Sequence, residues 1–493
     1  MRRILCGIET EYGLAVEGRG AEDQIEDSQM VVRSYPDDHL AVWDYRSESP
    51  RNDLRGFQLK ALAYDERDAM FDAGKARGPD ADVRSDRILP NGARFYNDHG
   101  HPEYATPECW SPLELALHDR AGELAVWRAA KAFERESGRK VEVYKNNTDF
   151  HGASYGTHES YLAPRELGFD RLYAALTPIL ASRIIVCGAG KVGSESGPKC
   201  DFQMSQRADF FMERANAETL ARRPIFNTRD EPHADRRKWI RVHVIATDAN
   251  MMAGCTARKA ALMQWAIRLE IEGKLPRWNL LDPVAAIRTV SRTLHEEPRL
   301  ELEGRSWTTP RQIMESLLDA AENHLELDEG EAQIAGAARR LLSIQFSHPE
   351  EFARSVDWAA KRQIIEQFRE SEQIAWDDPH LQALDLSYSS LDPDESLFSA
   401  LVEGGYVDPQ PEQEELDKRL ANVMEPTRAR ARGLAVTRLR QNLATASWGS
   451  VVFRDGDHSL EAQLPPDWEY DDGLLGVESQ EDFCRWIREK SSQ

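Results

Sequence analysis

Asn91-Gly-Ala-Arg-Phe-Tyr-Asn-Asp-His-Gly-His-Pro-Glu-Tyr-Ala-Thr106 is the stretch on which the reading of this chain turns. Side chains alternate across a β-strand, so residues i and i+2 share a face. Arg94, Tyr96 and Asp98 then stand in register, and Glu103 follows after His101-Pro102, with Thr106 beyond it. A cation, a phenol and two carboxylates make poor core material. They suit a polar sheet face that holds Mg2+ and phosphate, because magnesium takes oxygen ligands and arginine neutralises phosphoryl charge.

The N-terminus repeats the pattern. In Ile4-Leu-Cys-Gly-Ile-Glu-Thr-Glu11 the even positions Ile4, Cys6 and Ile8 are apolar, and Glu9 and Glu11 share the opposite face. Two adjacent carboxylates repel unless a cation lies between them or one binds a proton. A solvated acidic strand end explains this fragment equally well when it is taken alone. Further polar clusters lie in Tyr144–Asp149 and Gly152–Glu159. Gln203, Ser205 and Arg207 alternate, Arg229 lies in Asn227–Asp235, and Arg241 and His243 share a face of Trp239–Ile245. For any one of these a structural role outweighs a functional one. Their convergence favours a site built from strands with one apolar and one ligand-bearing face.

Composition bounds the rest. The 493 residues are 41% hydrophobic, with twelve Trp and sixteen Phe, enough for a large core, so wholesale disorder is excluded. With 62 basic against 85 acidic residues the net charge is −23, which disfavours nucleic acid and anionic membranes as partners. The six cysteines are scattered with no CxxC pair, which suits a reducing cytoplasm. The most apolar region, Leu172–Gly190, is broken by Pro178 and Arg183, so no membrane span is expected.

Ser111-Pro112-Leu-Glu114 predicts a capped helix running to Gly138, and Thr309-Pro310-Arg-Gln312 opens another. Helical spacing recurs over 256–272 and 355–372, and strand-like runs lie at 183–187, 201–207 and 239–246. Strands mixed with long helices, without regular βαβ alternation, predict an α+β fold. Residues 18–89 read as a long polar loop, and 73–82 lack any apolar period. A solvated connector at 408–415 divides a large domain, 1–415, from a small C-terminal one, 416–493. Gly188-Ala-Gly-Lys-Val-Gly193 fits GxGxxG, but Gly197-Pro198 leaves no room for the helix that a dinucleotide site needs. It reads as a turn after a strand.

The ordered motifs Gly7–Gly13, Asn91–Thr106, Tyr144–Asp149, Gly152–Tyr161, Phe202–Phe211, Asn227–Asp235, His243–Asn250 and Ala446–Trp448 resemble the Pup ligase/depupylase family. That family is related to carboxylate–amine ligases such as glutamine synthetase. The resemblance extends to Val356-Asp-Trp358 and Ala383–Leu386. Within the family, the insertion over about 42–86 resembles the depupylase-specific loop, and Asp98-His-Gly-His-Pro-Glu103 has the shorter depupylase spacing. Glu103-Tyr-Ala-Thr106 is closer to the ligase wording.

The resemblance implies a glutamine synthetase-like core with a curved, mostly antiparallel sheet packed on helices. It further implies deamidation of the C-terminal Gln of Pup, or of a Pup-like modifier, and cleavage of Pup–lysine isopeptide bonds, with ATP and Mg2+ bound. The alternative is an ATP-dependent Pup–protein ligase. By motif match Asp98 is catalytic; Glu9, Tyr96, Glu103, Glu159 and His243 are metal ligands; Arg94, Thr106, Arg207, Arg229 and Trp448 contact ATP. Glu11 and Arg241 join them from face geometry alone. The implied partners are Pup and pupylated proteins, with an indirect link to the bacterial proteasome, for a cytoplasmic monomer.

Overall fold

The alternation at the N-terminus builds the central sheet. A computed structural model describes residues 3–60, 84–150, 152–218 and 222–491. Its strands begin with β1 (Cys6–Glu11), β2 (Gly13–Val16), β3 (Arg87–Ile88), β4 (Arg94–Asp98), β5 (His101–Ala105) and β6 (Val141–Tyr144). β7 (Thr157–Pro164), β8 (Lys191–Val192), β9 (Phe202–Gln203), β10 (Glu213–Asn216), β11 (Pro224–Asn227) and β12 (Trp239–Val244) follow. Eight of them form one sheet in the order β10-β11-β12-β7-β1-β5-β4-β3. Only the β10–β11 pairing is parallel. The fold is α+β, as the sequence predicts.

One face of the sheet is apolar. Cys6, Ile8, Tyr161, Ala163, Ile240, Val242 and Val244 pack with the helices Phe169–Cys187 and Ala253–Ile271 in the main core. The opposite face carries the polar side chains. The helix Pro112–Ser137 is capped as expected, with Ser111 Oγ accepting from Leu113 and Glu114 N–H. Its C-cap Gly138 sits at φ 70°, a left-handed turn that glycine adopts without strain. Helices Pro310–His324, Ala253–Ile271 and Asp357–Glu372 match the other predicted spans.

Several expectations change. The run 183–187 ends the helix Phe169–Cys187 and is not a strand. That helix is buried nearly all round, so its apolar run carries no periodicity to separate helix from strand. Within 201–207 only Phe202–Gln203 is strand. The Gly188–Gly193 turn spends its N–H groups within the protein: Ala189 donates to Asp248 and Val192 to Asp385, while Gly190 and Gly193 donate to the carbonyls of Met204 and Asp201. A phosphate cradle is therefore excluded there. The polar stretch 18–89 contains the helix Gln24–Arg33, and residues 42–54 are anchored by backbone bonds to Ala446 at one end and to Thr228 at the other. Residues 61–83, including 73–82, lie outside the described residues.

The domain boundary also moves. The helix Gln413–Ala421 packs Leu416 and Leu420 into the cluster around Pro112–Ser137, so it belongs to the large unit. The C-terminal core is formed by residues 431–487 and Trp43, Leu40 and Ile88 join it. Beyond the hairpin β13 (Leu300–Leu302) and β14 (Ser306–Thr308), the strands β15 (Leu443–Ala446), β16 (Ser450–Asp455) and β17 (His458–Gln463) form its sheet. Among the described residues, no helix is long and apolar enough to cross a membrane.

Candidate active site

A cavity of about 390 Å³ lies on the polar face of the sheet. Register explains its lining. Glu9 pairs with Ala105 and His158, Glu11 with Glu103, and Tyr96 with Glu103, so carboxylates from β1, β4 and β5 meet in adjacent rows. Two groups result. The carboxylate oxygens of Glu11, Asp98 and Glu103 lie within 4.8 Å of one another, and ligand atoms of Glu9, His158 and His243 do likewise. Tyr96 Oη donates to Glu103 at 2.5 Å. His243 Nε2 meets Glu9 at 2.8 Å, and Arg241 reaches the same carboxylate at 3.1 Å.

The electrostatics separate the two groups. Burial, then the charges of Asp98, Glu9 and Glu11, hold the Glu103 carboxyl well above its usual range, so Glu103 keeps a proton. Burial would raise Glu9 as well, but the charge of Arg241 and hydrogen bonds from His158 and His243 more than offset it, and Glu9 stays well below the usual range. Burial and then Arg241 push His243 down to about 3, leaving a neutral imidazole able to act as a ligand. Asp98 is opposed by burial but held down by Arg84, with which it forms an ion pair, and by His99. It is ionised.

The structure brings Glu9, Tyr96, Asp98, Glu103, His243, Arg94, Thr106, Arg207, Arg229 and Trp448 to one cavity, with Glu11 and Arg241. Glu159 is the exception. It is the partner of Ile8 in the register and faces the core. There it takes two bonds from Arg183 at 2.7 and 2.8 Å and others from Thr247 and Tyr161. Its neighbour His158 occupies the ligand face instead. The His-Glu pair offers both parities, and only the register with β1 decides between them.

Three further features shape the site. Arg84 closes on Asp98. Residues 42–54 form a wall of the site: Asp44 N–H bonds Ala446 O, Leu54 N–H bonds Thr228 O, and the backbone of Asp53 forms an antiparallel β-bridge with that of Arg229. Within that wall Arg94 is clamped, bound to Asp86 at 2.6 Å and to Tyr45 Oη at 3.0 Å, with its guanidinium 4.3 Å from the Trp43 ring centre. Trp43 in turn packs edge-on against Trp448, ring centres 5.0 Å apart. The aromatic and acidic spacing of Trp43, Tyr45 and Glu48 was the available signal.

The three-carboxylate group matches the oxygen preference of Mg2+, and a dication there would replace the proton on Glu103. The Glu9–His158–His243 group is a mixed oxygen and nitrogen set, and such sets suit softer divalent ions better.

Comparisons with known proteins agree with this arrangement. The depupylase of Acidothermus cellulolyticus is 36% identical over 470 residues, covering 92% of this chain and 91% of the relative. The Pup deamidase/depupylase of Mycolicibacterium smegmatis is 35% identical over 478 residues, 93% of each. Among solved structures, the Pup ligase PafA in complex with Pup superposes with a TM-score of 0.78 at 26% identity, covering 99% of this chain and 92% of that one. The same ligase with ADP gives 0.73 at 27% identity, covering 89% and 96%. The model of the family described as Pup-ligase protein matches residues 3–452, and it is to this family that the chain belongs.

Proposed function

We propose that the chain hydrolyses amides at the γ-carboxyl of the C-terminal residue of Pup or a Pup-like modifier. One substrate is the side-chain amide of a C-terminal Gln; the other is the isopeptide bond to a substrate lysine. The observation that carries this reading is Asp98, an ionised carboxylate in a cluster with Glu11 and Glu103 that could hold a cation, in a chain that two named depupylases match along almost their whole length. The relative solved with ADP and the one solved with Pup support nucleotide and modifier as ligands of this chain.

An amide carbonyl is a weak electrophile, so the site must supply a nucleophile and stabilise an oxyanion. Asp98 either attacks directly or draws a proton from water as the new C–O bond forms. In the first route the C–N bond breaks as the anhydride with Asp98 forms, the leaving nitrogen takes a proton from water, and the hydroxide so formed hydrolyses the anhydride to free both carboxylates. In the second route the proton returns to nitrogen as the C–N bond breaks, releasing ammonia or the lysine amine. Arg84 keeps Asp98 ionised and gives up its ion pair when substrate enters. Arg94, Arg207 and Arg229 contribute positive charge, while Thr106 and Trp448 line the nucleotide side. Glu11 and Glu103, oriented by Tyr96, would hold Mg2+, and Glu9, His158 and His243 form a second candidate set. When bound, Mg2+ supplies positive charge to the phosphates and to the developing oxyanion. On this reading the protein works as a cytoplasmic monomer, linked to the proteasome only through its pupylated substrates.

A second reading, ATP-dependent Pup ligation, is favoured by the superposition on the ligase. Incubating the protein with ATP, Mg2+ and Gln-ended Pup separates the two. Ammonia release supports the hydrolase. ADP formation with a new lysine conjugate from Glu-ended Pup, and no ammonia from the Gln form, overturns it.

A further inference from the structure

The motif Tyr144–Asp149 supplies no group to the hydrolysis, yet its two asparagines bind the chain that leads into β7. Asn147 is fully buried. Its Nδ2 donates to Tyr155 O and to Thr157 Oγ1, both at 3.2 Å, and its Oδ1 accepts from the Ala249 N–H at 2.7 Å. A backbone N–H only donates and a carbonyl oxygen only accepts, so these partners fix which end of the amide is oxygen. The Asn147 N–H itself donates to Gln206 Oε1 at 2.7 Å. Asn146 is buried beside it, and its Oδ1 accepts from Tyr155 Oη. Neighbouring asparagines thus hold Tyr155 by its main chain and by its ring.

The bond to Tyr155 reaches further because of where that carbonyl sits. Tyr155 C=O and Gly156 N–H belong to one planar trans peptide and point in opposite directions. The N–H donates to Glu11 Oε2 at 2.5 Å, and among the described residues this is the one hydrogen bond that the Glu11 carboxylate accepts. Gly156 O in turn accepts from the Glu11 N–H at 2.9 Å. Glu11 needs such a partner, because the β1–β7 register ends one residue earlier, at the pair Thr10–Thr157. A carboxylate oxygen of Glu11 lies within 4.8 Å of one from Asp98 and one from Glu103. The direction in which Glu11 points therefore decides whether these oxygens can share a cation. Hydrogen bonds at the two ends of one peptide polarise it in the same sense and strengthen each other.

We propose that Asn147 is a positioning residue for the carboxylate group: it orients the Tyr155–Gly156 peptide, and that peptide aims Glu11 at the cation. The relay runs from Asn147 Nδ2–H to Tyr155 O, and from Gly156 N–H to Glu11 Oε2. One Glu11 oxygen is engaged in this way, and the other is left for the metal. Groups that orient a metal ligand alter affinity ~10–100-fold without touching the ion. An Asn147 that merely knits segments together would act on the cation with or without Glu11. The inference rests on the reading of Glu11 and Glu103 as Mg2+ ligands.

Calorimetry of Mg2+ binding to the intact protein in the presence of ADP tests this without turnover. Asn147→Ala should weaken Mg2+ by about 10-fold. In a Glu11→Ala background the same substitution should change affinity by less than about two-fold, because the relay then ends on a carboxylate that is gone. Thermal melts establish that each variant is folded. Asn147→Ser, which leaves a hydroxyl in the buried space, replaces Asn147→Ala if the latter does not fold, and the same pattern is expected of it. An equal loss in both backgrounds would overturn the inference, and would place the effect of Asn147 elsewhere, as on His158 beside Thr157. Unchanged Mg2+ affinity in the folded Asn147 variant, with Glu11→Ala weakened, would also overturn it while leaving the cation reading intact. Unchanged affinity in Glu11→Ala would remove the cation reading itself, and the inference with it.

Discussion

At the scale of single residues, the pair Asp98–Arg84 makes the sharpest statement. Asp98→Asn should preserve the fold and nucleotide binding while lowering both hydrolytic activities by at least ~10²–10⁴. Near-normal turnover, with reversion of the new amide excluded by mass spectrometry, would remove Asp98 from the chemistry. The direction of its pKa adds a second test. Burial raises Asp98, and Arg84 is the strongest of the cations that bring it below its ordinary 3.8. The catalytically competent form is the carboxylate, which persists in wild type to pH values under that ordinary one. Replacing Arg84 with Met removes the main lowering influence, so the carboxyl rises and protonates at higher pH. The acidic limb of kcat/KM should then move upward. A pH–rate profile with an unmoved limb would show that Arg84 serves some other purpose.

At the scale of elements, β7 shows both the reach and the limit of sequence reading. The alternation of β1 and β4 was legible, because Ile4, Cys6 and Ile8 declare the core face and the carboxylates fall on the other. In His158-Glu159 the residue types point the wrong way: the carboxylate is in the core and the imidazole on the ligand face. Nothing local announces this, since the parity is fixed by pairing with Ile8, some 150 residues away. Capped helices were legible for the opposite reason, because Ser111 and Thr309 bond within their own first turn. The helix Phe169–Cys187 was not, being apolar on every side.

The β7 assignment is testable by a pair of variants. Glu159→Gln breaks a buried ion pair with Arg183 and should cost roughly 3–5 kcal/mol of stability, while the protein that remains folded binds Mg-ATP as wild type does. His158→Gln should leave the melting temperature nearly unchanged and weaken divalent-dependent nucleotide binding. Calorimetry and thermal melts showing the reverse pattern would return Glu159 to the metal site.

At the scale of the whole molecule, the cavity is a joint between the large unit, the C-terminal unit and the segment 42–54 that runs between them. Trp448 and Arg428 reach the cavity from the C-terminal side only if that unit is docked. Glu108 holds it there, binding Arg428 at 2.7 Å and Arg432 at 2.6 Å, with Arg432 fully buried. Burial would raise Glu108, but Arg432 and Arg428 outweigh it and bring the carboxyl down to about 2 from its ordinary 4.5. A depressed acid stabilises the fold while it is ionised. Its contribution, about 3 kcal/mol, is complete above the unfolded value and is lost as pH falls from 4.5 towards 2. Glu108→Gln should therefore melt well below wild type at neutral pH, because Arg432 is left buried without its counter-charge. It should also weaken nucleotide binding, because Trp448 is no longer held in place. The gap in melting temperature between the two proteins should close as the pH is lowered through that window, since wild type loses the same charge by protonation. If the gap at about pH 3 equalled the gap at neutral pH, the ion pair would not be the link between the two units. The docking would then rest on the apolar contacts of Trp43, Ile88 and Leu434 alone.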